Sequence, residues 1–290
     1  MSVLNDKSRE GGEEETDKME EVDFYLQDLE SKFKKINPSD YYLAYSGGKD
    51  SHLLLWFIKE YLRDNEIKIV SCNTYLEHRE IFKRMCKHSD VMLFPALKPS
   101  EIKAKYGIPC FTKSQDEFIR RYQNGSRSKS MMERVERTTP SMFNLNKLAS
   151  ELTLSGKLHK VSSKCCDYLK KEPFKRYEKE TGKKPILGVR MSEGLLRKSN
   201  YTSCFTKDKK FTPIFDLPVD LLRAIYEKYE IEIPKVYEHV SRTGCMGCPY
   251  GFRSGNTQKE LQLLSGNQLA FVKGYFKESY EVLMGGSNDC

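Results

Sequence analysis

Two groups of residues in this chain have the types and spacing to do chemistry. The first is Ser46-Gly47-Gly48-Lys49-Asp50-Ser51. Glycines let a backbone approach oxygen atoms closely, and the free amides at a helix start point at negative charge. Ser46 and Ser51 add hydroxyl donors, Lys49 adds a positive charge, and Asp50 adds a carboxylate suited to a magnesium ion. The expected ligand is a phosphate group; the plainer alternative is a glycine turn that caps a helix. A Walker loop needs four residues between its first glycine and its Gly-Lys pair, and this segment lacks them. The second group is Cys165-Cys166 with Cys245-Met246-Gly247-Cys248 about eighty residues later. Zinc sites, iron–sulfur sites and thiol redox pairs all use CxxC. Adjacent cysteines bridge one small ion awkwardly, because neighbouring side chains point apart. A [4Fe-4S] cube offers separate iron corners, so the pattern favours a cluster over zinc or unmetallated thiols.

These groups need elements to position them. Tyr41-Tyr42-Leu43-Ala44-Tyr45 reads as a buried strand, and Leu54, Leu55, Ile58 and Leu62 fall at helical spacing in a helix over 52–62. A second strand is expected over Ile67–Cys72, ending in Asn73-Thr74. A helix from Glu77 to His88 and a third strand, Val91–Phe94, follow. This alternation predicts an α/β fold, a parallel twisted sheet with helices on both faces. In such sheets ligands sit at the carboxyl ends of strands, where both Ser46 and Asn73-Thr74 fall. Pro185–Val189 reads as a fourth strand, Thr212–Phe215 as another extended piece, and Leu217–Tyr229 as a helix. Helices near 257–265 and 267–284 make a helical C-terminal part. Arg120–Lys129 is polar and basic, and reads as an exposed insertion or a mobile loop.

The six residues from Ser46 to Ser51 resemble the pyrophosphate loop, SGGxDS, of the ATP pyrophosphatase superfamily, whose enzymes split ATP between its α and β phosphates. Gly188-Val189-Arg190-Met191-Ser192-Glu193 with Arg197 resembles the G-(I/V)-R-x-x-E-x-x-x-R segment of the same superfamily. Asn73-Thr74-Tyr75-Leu76-Glu77 resembles its D/N-T-x-x-E stretch. The cysteine pattern resembles the cluster site of adenylylsulfate reductases. Together these matches are similar to the PAPS reductase branch, an adenine nucleotide alpha hydrolase-like, Rossmann-like fold. The resemblance implies ATP, Mg2+ and a [4Fe-4S] cluster as cofactors. It implies nucleotide binding by Ser46, Gly47, Gly48, Lys49, Asp50, Ser51, Asn73, Thr74, Gly188 and Arg190. Catalytic work falls to Lys49, Asp50, Arg190 and Arg197, and cluster binding to Cys165, Cys166, Cys245 and Cys248.

Two reaction classes compete within that branch. One is an ATP-consuming sulfurtransferase that activates an acceptor, DNA or tRNA, by adenylation, with a cysteine desulfurase as sulfur donor. The other is a sulfonucleotide reductase that releases sulfite, with thioredoxin as partner. The intact loop favours ATP chemistry, since a sulfonucleotide has no departing pyrophosphate to cradle. The chain also lacks the reductases' C-terminal Glu-Cys-Gly-Leu-His segment; its last cysteine is Cys290. Cys204 is the better candidate for a spare reactive thiol, while Cys72, Cys86 and Cys110 read as packing residues or strand-end thiols. A non-catalytic nucleotide or cluster sensor is a third reading.

Composition bounds these readings. The 290 residues carry a net charge of +8. Residues 1–22 hold eight acids against three bases, so they read as a disordered acidic leader before a nucleotide-binding domain over 23–250 and a helical extension over 251–290. The basic remainder suits anionic partners. Phe24, Leu26, Leu29 and Phe33 predict a helix over 23–36. No apolar run is long enough to span a bilayer and the N-terminus lacks a signal-like apolar core, so a cytoplasmic protein is expected, with no membrane partner. Nine cysteines there point to metal or redox chemistry rather than disulfides.

Overall fold

The structure, a computed structural model, describes residues 7–193, 202–241 and 243–285. They form two compact units. The first comprises Met1–Ser71, Glu80–Met92 and Arg176–Pro234; the second comprises Cys72–Arg79, Leu93–Lys175 and Lys235–Cys290.

The first unit is built on a sheet of β1 (Tyr41–Ala44), β2 (Lys68–Cys72), β3 (Val91–Leu93) and β4 (Lys184–Ile186), in the order β3-β2-β1-β4. β1 runs parallel to both neighbours, pairing Leu43 with Ile69 on one side and with Ile186 on the other. Central parallel strands are covered on both faces, which is why Tyr42 and Leu43 are wholly buried and neither strand alternates with water. The α/β class expected of the chain is therefore present. Pro185 lacks an amide and sits in β4, beyond which only Phe211 continues the pairing, through its amide to the Pro185 carbonyl at 3.0 Å. The extended piece expected at Thr212–Phe215 is thus displaced to Phe211.

Helix α1 spans Lys7–Phe33, longer than the expected helix and taking in most of the segment read as a disordered leader. Its C-terminal half is anchored by apolar and polar contacts. Leu26 and Leu29 are wholly buried, and Phe33 meets the rings of Phe57 and Phe211 at 5.3 and 5.2 Å. Buried Lys32 pairs with Asp28 and Asp216, both at 2.9 Å. Helix α2 covers Lys49–Trp56 and runs on through a π-helical turn to Tyr61, burying Leu53, Leu54, Leu55 and Ile58. Helix α3 is Arg79–His88.

Behind α2's first turn, His52 is buried, its Nδ1 2.9 Å from the Tyr45 hydroxyl and its ring 5.5 Å from that of His88. Burial, reinforced by Arg84, His88 and Lys87, pushes its pKa down to about 3. A depressed histidine contributes stability that is complete above the unfolded pKa of about 6.5 and is lost as pH falls toward the folded value. Between neutral pH and pH 5 that loss is about 2 kcal/mol. Urea unfolding at both pH values should show His52→Asn losing distinctly less stability on acidification than the native chain; equal losses would refute the assignment.

The second unit is helical. The stretch from 99 to 160, which lacks a regular strand–helix rhythm in sequence, folds as α4 (Pro99–Tyr106), α5 (Lys113–Gln123), α6 (Lys129–Glu136) and α7 (Lys147–Leu154). The basic segment Arg120–Lys129 is therefore the end of α5, a turn and the start of α6. Arg120 is engaged by Glu117 through two hydrogen bonds of 2.9 and 2.7 Å. The segment's polar face hid its helicity, because its apolar anchors Ile119, Met131 and Val135 are few and split by the turn. Helix α8 (Lys164–Cys166) starts the cysteine segment. Helices α9 (Asn256–Leu263), α10 (Gly266–Tyr275) and α11 (Lys277–Gly285) end the described chain; the expected final helix breaks at Phe276. None of the described helices is long and apolar enough to cross a membrane.

Candidate functional site

In the first unit the loop from β1 to α2 is shaped by its own side chains. The Ser51 hydroxyl receives the Ser46 amide at 3.2 Å, lies 3.1 Å from the Ser46 hydroxyl and donates to the Gly48 carbonyl at 3.0 Å. Gly47 has φ +72°, and a Cβ there would stand 2.9 Å from Ile81 Cγ2. That conformation and that contact both require glycine. Gly48 precedes the helix, and no side chain caps α2's start. The start of α2 therefore carries the positive end of the helix dipole, a setting that favours an anion.

The Gly188–Arg190 segment lies directly against this loop. A Cβ on Gly188 would come within 2.8 Å of the Ser51 amide nitrogen and 2.9 Å of the Asp50 carbonyl carbon, so only glycine allows the approach. Arg190 is buried. Its Nε donates to Asp50 Oδ1 at 2.5 Å and its Nη1 to the Ser192 hydroxyl at 3.1 Å. A helix over Val219–Lys228 closes the group from another direction: its Tyr226 hydroxyl donates to the Lys49 carbonyl at 2.6 Å, and its exposed Arg223 lies within electrostatic reach of Lys49. Burial holds the Lys49 ammonium below its ordinary pKa; Asp50 opposes this, and Arg190 and Arg223 add to it. Lys49, Asp50 and Arg190 thus meet at a helix start, with Arg223 within electrostatic reach of Lys49. Arg223 and Tyr226 carry no sequence signal, since each sits in an ordinary amphipathic helix.

The structure brings together Ser46, Gly47, Gly48, Lys49, Asp50, Ser51, Gly188 and Arg190. Asn73 and Thr74 fall in the other unit. There the Thr74 amide and hydroxyl both bond the Glu77 carboxylate, at 3.1 and 2.5 Å, and Asn73 Oδ1 receives the Tyr75 amide at 2.9 Å. These side chains close a turn on themselves. Arg197 and Cys290 lie outside the described residues. The magnesium expected at Asp50 meets a carboxylate whose Oδ1 already holds a guanidinium, which weakens its pull on a cation.

In the second unit Cys165, Cys166, Cys245 and Cys248 lie within electrostatic reach of one another and of Lys170. The interaction between the adjacent Cys165 and Cys166 sulfurs, with Lys113, Lys170 and Lys171 nearby, pushes Cys166 down to about 6 and Cys165 up. Lys170 is pushed up, chiefly by the Cys245 charge. The CxxC turn is braced at successive peptides. The Met246 amide bonds the Leu76 carbonyl at 2.6 Å, the Gly247 amide bonds Glu260 at 2.9 Å, and Thr257 donates to the Cys248 carbonyl at 2.6 Å. The Tyr280 hydroxyl donates to the Gly247 carbonyl. Gly247 has φ +59°, and a Cβ would stand 2.4 Å from Val272 Cγ1. Four thiols beside a resident cation fit an anionic thiolate-bound group as a donor set. Among the described residues, however, no three His, Cys, Asp or Glu side chains are arranged as a metal shell.

The remaining cysteines differ from expectation in part. Cys72 and Cys110 are buried, but Cys86 is exposed on α3. Burial raises the Cys204 thiol, which opposes the reactivity expected of it.

No family model and no curated protein sequence matches the chain. Among solved structures it is similar to a phosphoadenylyl-sulfate (PAPS) reductase from Candida auris in a phosphate complex, with 12% identity and a TM-score of 0.40 over 74% of this chain and 83% of that one. It is similar to an NH3-dependent NAD synthetase from Campylobacter jejuni, with 14% identity and a TM-score of 0.38 over 91% and 96%. A tRNA thiolase from Methanococcus maripaludis with its [4Fe-4S] cluster shows 13% identity and a TM-score of 0.34 over 92% and 80%. At these values none of those activities extends to this chain.

Proposed function

We propose that this protein is an ATP-consuming enzyme of the pyrophosphate-loop type that adenylates an acceptor, of the nucleic-acid modification kind, for sulfur transfer. The observation that carries the reading is the start of α2 itself, a glycine turn with Lys49 in the first helical turn, against which Gly188 packs and buried Arg190 bonds Asp50. A departing pyrophosphate is an anion that a helix start with adjoining cations would stabilise.

In the step proposed, an acceptor oxygen attacks the α-phosphorus. The bond from that phosphorus to the bridging oxygen breaks, and pyrophosphate leaves with the electron pair. The α2 amides and the Ser46 hydroxyl receive its oxygens, Lys49 neutralises its growing charge, Ser51 holds the turn through the Gly48 carbonyl, and Arg190 holds Asp50 and the loop in register. In a second displacement the outer sulfur of a persulfide on a donor protein attacks the adenylated acceptor atom, whose bond to oxygen breaks so that AMP leaves; a second thiol then attacks the donor's inner sulfur, cleaving the S–S bond to leave the product's sulfur as a thiol and the donor as a disulfide. Cys165, Cys166, Cys245 and Cys248 would hold a [4Fe-4S] cluster, which when bound offers iron as a sulfur-binding and electron-transfer centre.

Anaerobically purified protein with labelled ATP should release AMP and pyrophosphate. Lys49→Ala should keep its fold and bind nucleotide about tenfold to hundredfold less tightly, the worth of one charged hydrogen bond. Sulfite released from adenylylsulfate, with no pyrophosphate from ATP, would assign the protein to the reductases instead. Nucleotide binding without turnover of either substrate would make it a sensor.

A further inference from the structure

We propose that the face formed by α5, α6 and the loop over 137–146 binds a single strand of nucleic acid. That the bound strand is the acceptor rests on the function proposed above; the surface stands on its own geometry.

Residues 113–147 hold eight lysines and arginines against four acids. Of those acids Asp116 is wholly buried, taking the Cys110 and Phe111 amides at 2.8 and 3.0 Å, and Glu117 is occupied by Arg120. The outward charge is therefore positive. Arg121, Arg127, Lys129 and Arg137 are all exposed, and Arg120, tied to Glu117, is not the group that faces a ligand.

Aromatic rings are interleaved with these cations. Phe118 and Tyr122 are one turn apart on α5 and so share a face. The Arg127 guanidinium lies 3.7 Å from the Tyr122 ring centroid, held by hydrogen bonds to the Tyr122 and Ser126 carbonyls at 2.6 and 2.8 Å. The Arg134 guanidinium lies between two rings, 4.5 Å from Phe118 and 5.5 Å from Phe143. It thereby joins the loop to the helix face.

The loop is braced rather than loose. Ser141 Oγ receives the Phe143 amide at 3.2 Å, Asn144 Nδ2 donates to the Thr139 carbonyl at 2.6 Å, and the Leu145 amide bonds the Arg134 carbonyl at 3.1 Å. This bracing holds Met142 90% exposed and Phe143 58% exposed. A folded domain gains nothing by fixing two large apolar side chains in water. Planar bases do gain from such a platform, because each stacks on an aromatic or guanidinium face while its phosphates meet the flanking cations. A duplex hides its base faces, so the rings favour an unpaired strand over a helix.

The test is fluorescence anisotropy on the full chain, with labelled mixed-sequence strands of about fifteen nucleotides. RNA and DNA single strands and a duplex are titrated over a range of salt. Both or either single strand should bind more tightly than duplex. Phe143→Ala should weaken single-strand binding about fivefold to 150-fold with an unchanged salt slope, the worth of a base stack. Arg121→Gln, Lys129→Gln and Arg137→Gln together should flatten the slope by about two. Lys179→Gln with Lys207→Gln, both in the other unit, should change neither. No single-strand binding at low salt overturns the proposal, as does preference for duplex or an affinity indifferent to Phe143. Self-association abolished by Phe143→Ala without strand binding also overturns it and makes a second copy the occupant. AMP and pyrophosphate release is read on the same variants. If release persists while strands fail to bind, this surface fails and the ATP reading stands. If strands bind while ATP is not turned over, the surface stands and the ATP reading fails.

Discussion

Arg190→Met is expected to abolish pyrophosphate release and to destabilise the fold at once. Arg190 is buried and its guanidinium meets Asp50 Oδ1 at 2.5 Å, with the Asp50 side chain only 14% exposed. Removing one member of a buried pair strands the other, which costs about 3–5 kcal/mol. Loss of an oriented donor from a phosphate-transfer site costs roughly a hundredfold to a thousandfold in rate. The two effects separate in the double variant Arg190→Met with Asp50→Asn. There no carboxylate is left unpaired, so the melting temperature should recover most of its loss while turnover stays absent. Arg190→Lys should restore little of either, because a point charge cannot bond Asp50 and Ser192 together. Recovery of turnover in the double variant would reduce the pair to a structural tie.

The second large effect is expected in iron content, from the cluster proposed for the four cysteines. Protein prepared without oxygen should be brown, with about four irons and four sulfides per chain. Cys248→Ser should be colourless or nearly so. The turn it belongs to is held by Leu76, Glu260, Thr257 and Tyr280 through peptide groups, none of which needs the thiol, so the variant should fold. Cys86→Ser, on the exposed face of α3, is the control and should keep its iron. Zinc bound stoichiometrically with no iron would give the quartet to a different metal. A preparation free of both would leave the quartet as free thiols, with Cys166, Cys245 and Cys248 within electrostatic reach of Lys170.

The local elements of this protein are legible in short stretches of its chain. Tyr41–Ala44, the serine–glycine turn and the apolar spacing of Leu54, Leu55 and Ile58 specify strand, loop and helix through short-range sterics and periodicity, and all three are present. The glycines were legible for the same reason. Gly47 needs a positive φ and Gly188 needs bare space against Ser51 and the Asp50 carbonyl carbon, and only one residue type supplies either. Tertiary structure alone decided which charges meet. Asp50 reads as a metal ligand in isolation, yet folding sets Arg190, 140 positions away, on its oxygen. Arg223 and Tyr226 enter the site because a helix docks its apolar side, which fixes where its polar positions point. Asn73 and Thr74 sit at a strand end as expected, but their side chains close onto Glu77 and Tyr75. The basic run around Arg120 became helix because Ile119, Met131 and Val135 found a core made by distant residues such as Leu145 and Val161. Periodicity within a segment reports how it folds locally; which side chains share a site depends on long-range packing that no local spacing encodes.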